Sequence, residues 1–396
     1  MKNTNKALLV TTVSGFVPQF EMSNVQILQD MGYEVHYAAN YNTPSYGTDN
    51  HRLEGTGIIQ HQIDFVRNPF QLKNILIYKQ LKKIMRTECF DLVHCHTPMG
   101  GVIARLAARS AKITPVIYTA HGFHFYTGAS IINWLCYYPI EKILSRFTDE
   151  LICINKEDYE RAKRYFHAKH VDYIPGVGMN IEKVNNKVNV TLKKKELGLP
   201  EDKIILLSSG ELIKRKNHET IIRALAHLKQ QATPSLGSPY EFHYIICGHG
   251  ILNEYLHKLA EELHISDSIS FLGYREDMME IFQIADLFLF PSYQEGLPMA
   301  LLEAMAFGLP VVCSDIRGSN DLMEKYNDTQ PFNYCDGGIM IKQADDISAY
   351  SQAIDLLLQD MQLMHKMGDH NRLRSREFSD KYVKDSMKKI YRRLLP

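Results

Sequence analysis

The sequence lacks the marks of several large protein classes. There is no C-x-x-C pair, and the seven cysteines (Cys89, Cys95, Cys136, Cys153, Cys247, Cys313 and Cys335) are odd in number and widely spaced. That pattern argues against a zinc or disulfide framework and fits the buried free thiols of a cytosolic protein. Long apolar runs are also missing. The longest, near residues 285–291, is strand-sized, and the opening MKNTNKALLVTTVSGF is too short for a signal peptide or a span. The chain is therefore expected to be soluble, with a peripheral position on a membrane left open. An excess of either charge is absent: 45 Lys and Arg balance 45 Asp and Glu, where a nucleic-acid binder would show a basic surplus. No G-x-G-x-x-G fingerprint supports a dinucleotide-dependent dehydrogenase, and no short-period repeat or low-complexity segment is found.

What is present is an α/β rhythm over 396 residues, of which 45% are hydrophobic and 23% charged. That length predicts two domains of roughly 150–200 residues each. Short β-branched runs at 7–13, 34–38, 92–94, 116–118 and 150–154 alternate with helical stretches. A second series begins at 203, with strands at 204–208, 241–247, 269–272, 287–290 and 311–313. Such alternation implies parallel sheets covered on both faces, with ligands beyond the strands' carboxyl ends. The boundaries read as a first Rossmann-like domain over 1–178, a linker over 179–202 that includes the Lys/Asn/Val-rich stretch 180–195, and a second domain over 203–377. A basic amphipathic helix over 378–396 is expected to pack back on the first domain. Residues 230–239, with Pro, Gly and Ser, read as a surface loop.

The most informative segment is 291–310, PSYQEGLPMALLEAMAFGLP. A strand ends at Pro291, and a helix starts near Pro298 and stops at Gly308 and Pro310, the expected start and stop chemistry. Between Gly296 and Pro310 only Glu303 is charged. A carboxylate in an apolar helix is costly unless it finds a partner, and a ribose diol would serve. Glu295 stands in the loop before the helix, whose free N–H groups and positive dipole end suit a diphosphate. A buried helix with two purely structural acids is the alternative. A second segment, SSGELIKRKNHETIIRAL over 208–225, places Lys214, Arg215 and Lys216 in a loop after a strand, where they can neutralise a diphosphate or be a solvated charge run. A third, YTAHGFHF, offers His121 and His124. His94 and His96 lie at another strand end, and with no third ligand evident no metal is expected.

The E-x(7)-E spacing of Glu295 and Glu303 resembles the signature of retaining glycosyltransferases of family 4, which have the GT-B fold: two Rossmann-like domains facing across a cleft. The resemblance runs over some twenty consecutive positions. It implies that Glu303 holds the donor ribose, that Glu295 contacts the transferred sugar, and that the N–H groups of Gly296 and Leu297 meet the diphosphate. The family's usual G-R-L motif with a following loop Lys falls on Gly210–Lys216. Lys216 takes the Lys position, Glu211 replaces the usual Arg, and Arg215 is the candidate to compensate. His121 resembles the first-domain histidine beside the transferred sugar, and His124 would face the acceptor. Gly15 ends the first strand where backbone could approach a phosphate or sugar. Gly248-His-Gly250 is similar to a turn near the donor, and Tyr274 and Arg275 to the turn that reads the base.

These likenesses imply catalytic roles for His121, Lys216 and Glu295, a nucleotide sugar (UDP being the commonest case) as substrate, no cofactor and no metal. They imply front-face attack with retention, the leaving phosphate taking the acceptor's proton. Phe20-Glu-Met-Ser-Asn resembles enzymes that extend polyprenyl-diphosphate-linked oligosaccharides for bacterial capsule or exopolysaccharide at the cytoplasmic face. A glycan or lipid-linked saccharide is then the expected acceptor. Residues 71–86 project as a helix with Lys79, Lys82, Lys83 and Arg86 on one face and Ile77, Tyr78, Leu81, Ile84 and Met85 on another, either a covering helix or a contact with anionic membrane. Rival readings are a nucleotide-sugar epimerase of the same fold and an inactive binding or scaffold subunit.

Overall fold

Along β1 (Asn5–Val13) the side chains alternate between two cores. Ala7 and Leu9 pack with Leu28, Val35 and Ile117, whereas Leu8 and Val10 pack with Ile63, Leu81 and Val93. This period of two marks a strand covered on both faces. The computed structural model of the chain describes every residue except 1–3, 46–48, 177, 180–183, 185–186, 232–240, 329 and 396. The chain divides into two compact units, residues 1–178 with 381–396, and residues 179–380.

In the first unit, β1 is joined by β2 (Tyr33–Asn40), β3 (Ile59–Gln62), β4 (Leu92–His96), β5 (Val116–Ala120), β6 (Glu150–Cys153) and β7 (His170–Tyr173). All neighbours are parallel, in the order β3-β2-β1-β4-β5-β6-β7. The order reverses between β1 and β4, and crevices at such reversals are where ligands bind. The first strands run longer than the sequence suggests. β4 reaches His96 and β5 reaches Ala120, so both histidine motifs begin on the sheet itself. The helix Asp380–Leu394 belongs here: Val383, Met387, Ile390 and Tyr391, spaced as one helical face, enter the core that holds Leu9 and Val35.

The second unit contains β8 (Ile204–Ser209), β9 (Phe242–Cys247), β10 (Ile269–Gly273), β11 (Leu287–Phe290), β12 (Val311–Ser314), β13 (Lys325–Asp328), β14 (Phe332–Cys335) and β15 (Gly338–Ile341). The order is β10-β9-β8-β11-β12-β15-β14-β13, parallel except for the antiparallel edge made by β13, β14 and β15. Its reversal lies between β8 and β11. The two loops singled out by sequence, after Ser209 and after Phe290, therefore leave the sheet side by side.

Part of the stretch expected as a linker is ordered. Residues Val190–Glu196 form a helix capped by Asn189. Its buried Lys193 is held by Asp277 (2.6 Å), Glu280 (2.7 Å) and Glu196 (3.0 Å). A lysine with three acid partners has a reason to order that composition alone does not reveal. The surface loop expected over 230–239 lies outside the described residues from 232 onward.

Candidate functional site

The second unit gathers its candidates around the reversal between β8 and β11. After β8 the chain runs through Gly210 to a single 3-10 turn, Lys214–Lys216. Asn217 follows in the left-handed region (φ 57°), which Asn tolerates better than most residues. Its side-chain amide donates to the carbonyls of Pro291 (3.1 Å) and Ala344 (2.6 Å), and Tyr293 N–H donates to Arg215 O (2.9 Å). These bonds fasten the cationic turn to the loop after β11. The three cations are therefore not one solvated run.

Arg215 and Lys216 converge on one carboxylate oxygen. Glu295 Oε1 accepts from Arg215 Nη1 at 2.7 Å and from Lys216 Nζ at 2.8 Å. Lys216 and Glu295 are largely buried and Arg215 is more exposed. The trio carries one surplus positive charge. Buried Arg317 holds the loop from the other side, its Nε donating to Glu295 O at 3.0 Å. Glu211, at the position where the family pattern has Arg, is exposed and sits 3.8 Å from Arg215.

Three residues past Glu295, Pro298 begins the helix Met299–Ala306 without any side-chain cap. The first-turn N–H groups are left for another acceptor. Gly296 packs so closely on Gly318 that a Cβ there would fall 2.4 Å from Gly296 O, and Leu297 is buried. Glu303 lies in the second turn of this helix. Its carboxyl has no hydrogen-bond donor among the described residues, and burial pushes its pKa up to about 7. The residue keeps part of its surface in solvent, so Glu303 is a crowded acid without a protein partner that a ligand can still reach, and such a group gains from a hydrogen-bond donor.

The glycine turn packs behind these loops. A Cβ on Gly248 would fall 1.9 Å from Gly210 O, so only glycine lets the turn after β9 lie against the turn after β8. Gly248 N–H donates to Gly273 O (2.8 Å), and Tyr274 stacks on His249 and is exposed. Arg275 is already engaged on one edge: its Nε and Nη2 donate to Asp277, in the ion-pair cluster around Lys193.

In the first unit the structure brings together residues that sequence spacing separates. His121, just past β5, lies 3.2 Å from His96 at the end of β4, ring nitrogen to ring nitrogen. Glu21 Oε1 is 3.4 Å from His96 Nδ1 and 3.5 Å from His121 Nε2, and Glu21 Oε2 accepts from Asn24 at 2.6 Å. Phe16 packs edge-on against His121. Burial holds His96 well below the ordinary histidine range, and pushes His94 down to about 3, so both stay neutral. His94 faces away into bonds with Tyr391 and Thr119, each 2.8 Å. The pair 94/96 is thus not a ligand pair, and the third partner of His96 is Glu21, which the sequence reading passed over. Glu21, His96 and His121 are one of two groups of potential metal ligands among the described residues, the other being Glu324, Asp336 and His370. As protein groups alone, Glu21 and His96 fix the ring of His121, which keeps part of its surface in solvent.

Gly15 does not offer an open approach. A Cβ there would fall 2.1 Å from Pro44 O and 1.8 Å from Ser45 O, and its N–H donates to Pro44 O at 2.9 Å. The space that was expected to admit a phosphate or sugar is filled by the chain's own loop after β2. His124 lies beside Tyr137, their rings 4.7 Å apart.

Comparison with known proteins gives a consistent picture. Residues 189–374 match the family model described as "Glycosyl transferases group 1", and residues 7–155 match "Glycosyl transferase 4-like". EpsD of Bacillus subtilis, whose name is that of a glycosyltransferase, is 36% identical over 393 residues, covering 98% of this chain and 96% of that protein. The Escherichia coli UDP-Gal:alpha-D-GlcNAc-diphosphoundecaprenol alpha-1,3-galactosyltransferase is 29% identical over 297 residues, 72% of each chain. Among solved structures, Anabaena Alr3699/HepE in complex with UDP and glucose aligns with a TM-score of 0.75 at 17% identity, covering 99% of this chain and 100% of that one.

Proposed function

We propose a specific reaction for a chain that belongs to the group 1 glycosyltransferases, enzymes of GT-B fold acting on nucleotide sugars: transfer of a sugar from a UDP-sugar, with retention at the anomeric carbon, to a saccharide carried on a polyprenyl diphosphate. The choice of UDP and of a lipid-linked acceptor draws on the Escherichia coli relative, whose name specifies UDP-galactose and a diphosphoundecaprenol-linked sugar.

The observation that carries the donor half is Glu303. A carboxyl that burial drives to about 7 and that has no protein partner is a group prepared for a ligand, and two adjacent hydroxyls are the donors it needs. The other donor groups follow along the same loop. Lys216 and Arg215 meet the diphosphate, with the uncapped helix N-terminus beside them. Without ligand both cations rest on Glu295. A bound diphosphate competes for them and turns Glu295 toward the hydroxyls of the sugar. Charge that develops on the leaving diphosphate is then met by groups already in place, each worth a few kcal/mol of barrier, so departure at this end requires no metal. The diphosphate takes the acceptor's proton, and no protein base is assigned. His121, oriented by Glu21 and His96, bonds to the transferred sugar.

An inactive binding subunit is the reading that Glu211 favours, since a carboxylate stands where the family pattern has a cation. Arg215 on Glu295 supports the active reading instead, because it supplies a second cation at the same carboxylate. Thermal-shift measurements across a nucleotide-sugar panel test the proposal. A single UDP-sugar should raise Tm, a ligand at a hundred times its Kd contributing about 2.7 kcal/mol; a flat response to every donor overturns it. The described residues contain no helix long and apolar enough to cross a membrane, and the proposed work is done as a peripheral protein at the cytoplasmic face.

A further inference from the structure

The first unit contains a cavity of about 550 Å³ that the proposed reaction leaves unused. Its walls are apolar residues of three helices: Lys73–Glu88 with the residues just before it, Pro98–Ala111, and Ile131–Leu144. Its inner end is the loop Gly122, Phe123, His124 and Phe125, which directly follows His121. Beneath it the one charged lining residue, Glu141, is neutralised by buried Arg105 at 2.8 Å.

The rim of this cavity is exposed and apolar in a way that water does not favour. Of the residues that line it, Phe70 is 83% exposed, Ile132 71% and Ile75 55%, and their chain neighbours Leu72, Leu76 and Ile131 are exposed as well. Ile140 and Ile143 continue the face along the helix that carries Ile132. Isolated exposed apolar residues are ordinary, but a contiguous patch around a cavity marks a binding surface. The patch sits in a basic region. Residues 69–146 contain ten Lys and Arg against three Asp and Glu, in a chain whose charges otherwise balance. Lys79, Lys83 and Arg86 of the first helix are exposed. An apolar patch with flanking cations complements a bilayer with anionic headgroups.

We infer that this cavity binds the isoprenoid chain of the acceptor, with the exposed rim seated in the bilayer. The inference rests on the lipid-linked acceptor proposed above and adds to it where the lipid goes. A chain lying along the three helices ends at residues 122–125, so the diphosphate and first sugar at its head emerge beside His121. A cavity suits one chain held in a fixed place, whereas a flat patch would serve only for adhesion. The volume falls within the range of sites that enclose small ligands, so the near part of a long chain is enclosed and the remainder stays in lipid.

The chain has one tryptophan, Trp134, in the helix Ile131–Leu144 and 5.6 Å from the ring of Phe125. Its emission reports, without any label, on Phe125, which lines the cavity. Titration with geranylgeranyl diphosphate should give a saturable change in the full-length protein. Two variants should each weaken that binding at least tenfold: Cys136→Trp, which fills the cavity (read by competition, because it adds a second indole), and the combination Phe70→Ser, Ile75→Ser and Ile132→Ser, which changes only exposed positions and so leaves the fold intact. In both, the Tm rise with UDP should stay as in the wild type. Absence of a saturable change, equal affinity in the rim variant, or displacement of the probe by phosphatidylglycerol vesicles as readily as by polyprenyl phosphate overturns the inference; the last result reassigns the cavity to bulk lipid. Loss of the UDP response alone counts against the donor reading and leaves this one standing.

Discussion

The two units solve the same topological problem with opposite chemistry. Each is a doubly wound sheet whose strand order reverses once, and each places its candidate residues at the carboxyl ends of strands at or near that reversal. In the second unit the crevice is charged: Lys216 and Arg215 on Glu295, with Glu303 unmatched close by in sequence. In the first there is no cluster of cations among the described candidates: His94 and His96 are kept uncharged by burial, and the acid Glu21 is set against His121. A donor loses a diphosphate, so the donor side needs cations in place. A hydroxyl acceptor develops little charge until late, so hydrogen-bond geometry suffices there. The apolar cavity also lies in the first unit, where its one charged lining residue, Glu141, is already paired with Arg105.

This contrast can be broken by removing charge from the second unit. Lys216→Ala should lower kcat by about a hundred- to a thousandfold, the cost of deleting one preorganised donor, with an unchanged unfolding transition. Turnover near the wild-type level in a folded variant would show that the cation is not on the leaving group. The second largest effect concerns stability. Glu303 titrates near 7 in the folded chain against an ordinary value of 4.5. The folded state therefore holds its proton longer than the unfolded state, and the stability linked to the neutral carboxyl is complete below 4.5 and is lost as pH rises through 7. Glu303→Gln should remove that decline, leaving the variant more stable than wild type at pH 8 by on the order of 2–3 kcal/mol, and should bind donor more weakly. Parallel stability curves for the two proteins between pH 5 and 8 would contradict the unpartnered carboxyl. The smallest effect is in the first unit. Glu21→Gln should lower kcat about tenfold, the loss of one charge-assisted hydrogen bond of about 1.5 kcal/mol that orients His121, while the donor's Kd stays put. A change in donor affinity with kcat unaltered would move Glu21 to the donor side.

The loops proposed for the donor were legible in the sequence because they are short contiguous runs. Glu295, Glu303 and the Lys214–Lys216 turn each follow a strand, and the reversal between β8 and β11 brings the two loops together. What could not be read is what holds them. Asn217 looks like any helix-flanking polar residue until its amide is seen bridging Pro291 and Ala344. Arg275 and Gly15 have neighbours, Asp277 and the Pro44–Ser45 backbone, that no local pattern announces. Glu21 stands 75 residues before His96 and 100 before His121, so only the sheet order makes them neighbours. The apolar rim was hidden differently. The apolar face that the helical projection gives Lys73–Glu88 is buried at Ile77, Leu81 and Met85. The helix Ile131–Leu144 is apolar almost all round, a composition that normally signals burial, and its exposure is a property of the fold.

The central claim is that Glu303 grips the ribose diol of the donor nucleotide. Calorimetric binding of UDP and of 2′,3′-dideoxy-UDP to the wild type and to Glu303→Ala tests it as a double-mutant cycle. The account predicts that the wild type binds UDP at least tenfold more tightly than the dideoxy analogue, and that Glu303→Ala binds the two alike. Equal affinities in the wild type, or a preference for the diol that survives in Glu303→Ala, would contradict it.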